Sequence, residues 1–201
     1  MNAAELTINL VDVNNKPVEN VVVYATPTIG LDGLPKNTNQ LTINQEGKKF
    51  APYVTVMQKG QSITFNNKDD ITHHIYSVSG ENRFEFKLKA NSTKTTQKMD
   101  SAEEIAMGCN IHDWMSGYTL VVDTPYFGKT NEQGQLTLPI ANTGEYKVTV
   151  WHPQLDVESN RFEEMYQVTA EQSELGLKLP KALLPLPEQL GEDDFDFLEE
   201  Y

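Results

Sequence analysis

"YVTVMQKGQSITFNNKDDITHHIYS", residues 53–77, decides the fold. It holds three short runs of β-branched and aromatic residues, separated by Gly60 and by the polar stretch "NNKDD". Such runs, too short for helices and bounded by turn formers, read as strands. Gly60 stands between the first two, so residues 53–67 read as a hairpin. The third run opens on two adjacent histidines, His73 and His74. Successive side chains on a strand point to opposite faces, so only one of the two can face a given side.

The same grammar extends outward in both directions. In "ELTINLVDV" (5–13), Leu6, Ile8 and Leu10 share one face and Thr7 and Asn9 the other. "ENVVVYATP", "RFEFKLKA", "SGYTLVVD", "GQLTLPI" and "GEYKVTVWHP" are further short runs closed by Gly, Asn, Asp or Pro. Only "SAEEIAM" (101–107) has helical composition, and it is short. Many short strands with turns between them predict an all-β sandwich architecture.

Composition removes several classes of function. The net charge of −13 argues against nucleic acid, since phosphate binding needs a basic surface. No apolar run approaches the length of a membrane span. The single cysteine, Cys109, excludes an internal disulfide. Seven acidic residues and no basic ones lie between Glu188 and Tyr201, which leaves an ordinary surface charge on the remainder. That acidic tail reads as a solvated terminus or as an electrostatic handle for a basic partner.

"CNIHDWM" (109–115) brings together Cys109, His112 and Met115. A cysteine at a strand end, with His three residues on and Met six residues on, lets a tight turn aim all three inward. Thiolate, imidazole and a weak thioether, with a second histidine, make the ligand set of a type 1 copper centre. His73 or His74 supplies the second imidazole. Zinc suits Cys and His equally well. A cysteine nucleophile would need a base and an oxyanion hole, which no sequence feature marks. Met107, Phe84 and Phe86 are candidates for an apolar surround. Trp114, between two candidate ligands, is expected near His112 where a redox partner docks. His152 reads as a capping or surface residue at a strand end.

"FAPYVTVMQKGQSITFNNKDDITHHIYS" followed by "GCNIHDWMSGYTLVV" resembles the cupredoxin pattern of plastocyanin and amicyanin. With "VVDTPYFGKT" and "WHPQL" after it, the layout resembles bacterial plastocyanin-like proteins of the methylamine utilisation type. The resemblance implies one copper held by His73, Cys109, His112 and Met115, with His74 the alternative first histidine. It sets His74 at the position of an asparagine that braces the ligand loop, and places Asp113 beside His112, where a carboxylate lowers the potential. It implies a non-enzymatic electron carrier serving a redox protein such as a cytochrome or a dehydrogenase. It also implies a periplasmic or cell-envelope location, with a signal peptide removed.

"LTINLVDVNNKPVENVVVYATP" resembles the opening of the transthyretin-like, or carboxypeptidase regulatory-like, β-sandwich. The continuation expected of that family comes a hundred residues later, as "KTNEQGQLTLPIANTGEYKVTVWHP" (129–153). The fold expected is therefore all-β, a cupredoxin-like Greek-key β-sandwich inserted in a transthyretin-like one. Residues 1–46 with 125–180 would form the outer sandwich, 47–124 the copper domain and 181–201 the tail. The other functions open at this stage are copper storage or sensing, partner docking without redox turnover, and a zinc-bound or metal-free structural sandwich.

Overall fold

Alternation in the sequence becomes alternation in burial. The computed structural model describes residues 4–78, 80–169 and 172–187, so the acidic stretch from 188 onward lies outside the described residues. The chain divides into two compact units, one of residues 37–121 and the other of residues up to 36 together with 122–186.

In the discontinuous unit, β1 (Ala4–Val11) lies between β13 (Gln135–Ile140) and β16 (Gln172–Lys178). It runs antiparallel to β13 and parallel to β16. The second sheet runs β12 (Phe127–Lys129), β2 (Val22–Pro27), β14 (Gly144–Trp151), β15 (Arg161–Val168). Leu6, Ile8 and Leu10 are inward and fully buried, and they pack with Val21, Val23, Val148 and Val150 in one apolar core. Residues 181–184 are held against this unit rather than loose. Leu183 bridges Leu155, the Leu184 N–H donates to the Gln154 carbonyl at 2.9 Å, and Lys181 pairs with Asp156 at 3.0 Å.

His152 is buried in this unit, at 4 % exposure, and is not the surface residue its place after a strand suggested. The Gln154 N–H donates to its Nδ1 at 3.2 Å, so the ring caps the turn in its neutral form. Burial, aided by the charge of Lys129, pushes its pKa down to about 4. An unfolded histidine takes a proton near pH 6.5, so between pH 6.5 and 4 the unfolded chain binds more protons than the folded one. This contribution to stability is full above pH 6.5 and is lost as pH falls towards 4, by up to about 3 kcal/mol over the window. Urea unfolding at pH 7 and pH 4.5 is expected to show that loss, and His152→Asn to flatten it.

In the unit of residues 37–121 the five-stranded sheet runs β5 (Val54–Gln58), β11 (Ser116–Val122), β10 (Glu104–Cys109), β7 (His73–Ser77), β8 (Phe84–Leu88). The four-stranded sheet runs β4 (Phe50–Ala51), β3 (Leu41–Gln45), β6 (Ile63–Asn67), β9 (Thr93–Thr95). Here the hairpin reading of residues 53–67 fails. β5 and β6 lie in different sheets, and Gly60 turns the chain from one to the other. Gly60 has φ +90 and donates its N–H to the Met99 carbonyl at 2.7 Å. β3 falls within the stretch expected in the outer sandwich, yet its partner is β6, which it joins in parallel from Leu41↔Ile63 to Gln45↔Asn67. The helical composition of "SAEEIAM" resolves as the start of β10.

Phe65 is the centre of this core. It is fully buried on β6, and its ring meets Phe50 at 6.3 Å and Phe84 and Phe86 at 5.5 Å each. Phe84 and Phe86 belong to β8 of the facing sheet, so the aromatic cluster joins the two layers. Met57, Met99, Met107, Cys109 and Met115 complete the same apolar cluster.

Candidate metal centre

β7 settles which histidine faces inward. Its burial alternates, with His73, Ile75 and Ser77 inside and His74 and Tyr76 outside. β10 does the same with Ile105, Met107 and Cys109. Because Cys109 pairs with Ile75 across the antiparallel ladder, the last residue of β10 arrives two residues from His73 and on the same inward face. The turn after Cys109 then folds back, with the Met115 N–H donating to the His112 carbonyl at 3.0 Å.

His73, Cys109 and His112 come together, each with a ligand atom within 4.8 Å of the others, and all three are buried. Cys109 Sγ lies 3.7 Å from His73 Nδ1 and 3.6 Å from His112 Nδ1. The two imidazole rings are 5.1 Å apart between centroids. A metal bonded to sulfur at about 2.3 Å and to nitrogen at about 2.0–2.1 Å, with an angle near 115°, sets sulfur and nitrogen about 3.7 Å apart. Both sulfur–nitrogen separations therefore match those a shared ion requires.

The electrostatics of the site suit a cation. Burial pushes the Cys109 thiol up, but the His73 ring and the N–H groups of Ile111, His74 and His112 outweigh it, holding the thiol below its ordinary value. Burial also lowers His73, but Cys109 and Asp69 outweigh this and its pKa is raised. His112 is lowered, first by burial and then by the charges of His73 and Lys48, which favours its neutral ring.

Asp69 is the functional residue the sequence reading missed. Its Oδ2 lies 2.7 Å from His73 Nε2, and its two oxygens accept the N–H groups of Gly47 and Lys48 at 2.7 and 3.1 Å. Burial raises this carboxyl, but the His73 hydrogen bond and those N–H groups outweigh it and hold it low. An ionised carboxylate on Nε2 fixes the ring with Nδ1 towards Cys109 and makes that nitrogen more basic. The available signal was an acid four residues before His73, but it sat in a polar run that read as a loop.

Of the remaining expected residues, Met115 is buried at 1 % exposure in the cluster that holds Cys109. His74 points the other way and clamps the loop. Its carbonyl accepts the Asn110 N–H at 2.9 Å, and its Nδ1 accepts the Asn110 side-chain amide at 3.2 Å. With Nδ1 accepting, Nε2 carries the proton towards Glu85, 2.8 Å away. Trp114 is half-buried, packs on the cluster, and its ring lies 5.3 Å from that of His112. Asp113 is exposed, and its carboxylate makes no hydrogen bond among the described residues.

The two packed sheets of residues 37–121 form a β-sandwich with a histidine at one strand end and a cysteine at its neighbour's end. Among solved structures, the chain is similar to a copper-containing nitrite reductase from Thermus scotoductus SA-01, at 20 % identity and TM-score 0.40, covering 56 % of this chain and 28 % of that one. It is also similar to a purple cupredoxin from Nitrosopumilus maritimus, at 17 % identity and TM-score 0.37, over 41 % of this chain and 100 % of that one. Amicyanin from Paracoccus versutus is similar at 16 % identity and TM-score 0.37, over 49 % of this chain and 98 % of that one. No protein-family model and no curated protein matches the chain.

Proposed function

We propose that the unit of residues 37–121 is a type 1 copper protein that carries single electrons between redox partners and catalyses no reaction of its own. The observation that carries this reading is the pair of Sγ–Nδ1 separations, 3.7 and 3.6 Å, at a buried thiol held below its usual pKa. His73, Cys109 and His112 would be the strong ligands and Met115 the weak axial one, the donor set that distinguishes blue copper from a tetrahedral zinc site. Bound copper supplies a one-electron couple between Cu(II) and Cu(I). The protein's part is to hold its donors still in both states. Asp69 locks the His73 ring, the β7–β10 ladder fixes Cys109, and Met107 and Trp114 are part of the apolar surround that limits water.

The redox partner in this reading is a cytochrome or a dehydrogenase, and the protein works in a bacterial periplasm or cell envelope, as plastocyanin-like proteins of the methylamine utilisation type do. The discontinuous unit is a transthyretin-like sandwich that carries the copper domain as an insertion. Titrating the metal-free protein with Cu(II) tests the function. An intense visible thiolate-to-copper band that saturates at a single equivalent, with a reversible potential, supports it. A colourless protein that binds zinc in the same stoichiometry, or a copper complex with sluggish redox, overturns it in favour of a structural or storage site.

Asp69→Asn is expected to weaken metal binding by about 10- to 100-fold, because the ligand ring loses its anionic support while the fold keeps its shape. Competition with a chelator of known affinity measures this. The potential of the copper form should rise, since a less basic imidazole stabilises Cu(II) less.

A further inference from the structure

β8 carries a cationic patch on an otherwise acidic protein. Residues 83–98 hold Arg83, Lys87, Lys89, Lys94 and Lys98 against a single acid, Glu85, while the whole chain carries −13. All five cations are exposed. Glu85 is engaged by His74 Nε2 at 2.8 Å. Lys87, Lys89 and Lys98 form no ion pair among the described residues. Lys94 reaches across from β9, with its Nζ 4.7 Å from the centre of the Phe86 ring, so its charge is brought to β8.

The patch lies beside the ligands. β8 is the edge strand of the five-stranded sheet, and its neighbour β7 begins with His73. Leu88 pairs with His73 and Lys87 with His74, so the cations are one strand, about 4.8 Å, from the ligand strand. At 0.1 M salt, charges more than about 10 Å away are largely screened. An approaching molecule therefore meets Lys87, Lys89 and Lys94 as local cations, while Lys98 is offset by Glu81 and Asp100, which line one pocket with it.

We infer that the β8 edge is a docking surface for an acidic redox partner, one that presents a carboxylate-rich face to Lys87, Lys89 and Lys94. The inference rests on the electron-carrier reading and adds to it which face receives the partner and the sign of the partner's charge. The ordinary role of lysines on an edge strand is to discourage strand pairing between molecules. A charge reversal separates the two roles, since glutamates protect an edge as well as lysines do but repel an anion.

The test uses the full chain and the variant Lys87→Glu/Lys89→Glu. Hexacyanochromate(III), a redox-inert paramagnetic trianion, is added to the metal-free protein and amide line broadening is recorded. The expected result is broadening centred on residues 83–98 that the variant loses. Broadening centred elsewhere, or unchanged in the variant, overturns the inference. With copper loaded, oxidation by hexacyanoferrate(III) should slow about tenfold at low salt in the variant, while oxidation by tris(phenanthroline)cobalt(III), a cation, should not slow. Equal hexacyanoferrate(III) rates in the two proteins overturn the docking surface alone. A protein that takes up copper yet reacts with neither oxidant fails instead as an electron carrier.

Discussion

Cys109→Ala is expected to abolish the visible copper band altogether and to lower copper affinity by several orders of magnitude. Cys109 Sγ lies within reach of both ring nitrogens, at 3.7 Å from His73 and 3.6 Å from His112. Its thiolate would also balance the charge of a bound metal in a buried site. Removing it leaves two imidazoles and a thioether, a neutral set that binds copper weakly and has no sulfur-to-metal transition. The fold should survive, because alanine is accepted at a buried strand end and the small cavity costs only about 1–2 kcal/mol. Absorption and circular dichroism on one sample therefore separate loss of the site from loss of the structure. If the band persists in the alanine variant, Cys109 is not the ligand and the assignment of the centre falls.

Phe65→Ala should be the most damaging core substitution in the unit of residues 37–121, at about 3–5 kcal/mol. The ring is fully buried and touches aromatic rings from both sheets, so its loss leaves a cavity that no single neighbour can fill. Aromatic contacts add to the area buried, and three, two edge-to-face and one tilted, are lost together. Denaturant unfolding followed by tyrosine and tryptophan signals checks this as a shift in midpoint at unchanged slope. An effect below about 1 kcal/mol would mean that the two sheets are joined elsewhere.

Much of the fold was legible because a buried face imposes its own period on a strand. Leu6, Ile8 and Leu10 announce β1, and the parity of "HHIYS" leaves one histidine inward. What periodicity cannot express is the identity of a strand's partner. β5 and β6 have the composition of a hairpin, and the glycine between them serves equally well for a turn that crosses between sheets. β3 was obscured in an asparagine-rich run, since it is its partners β6 and β4 that give those residues a reason to be extended. The cluster of His73, Cys109 and His112 was readable in part because Cys109 and His112 stand three residues apart in sequence. Asp69 was not, because a carboxylate in a polar loop looks the same whether it faces water or a histidine 2.7 Å away.

The interrupted course of the chain also sets an order of events at the ribosome. β1 pairs with β13 and β16, whose residues follow it by more than a hundred positions, as in Ala4↔Ile140 and Leu10↔Leu177. The unit of residues 37–121 is contiguous and is fully synthesised before either partner exists. It can close first, and in closing it draws together the ends of the long loop that β1 must span, removing part of the entropy cost of that pairing. Nascent chains acquire Cys109 and the three histidines of the inner unit while β1 still waits, so damage to the inner unit delays completion of the outer one even where no residue of the outer unit has changed.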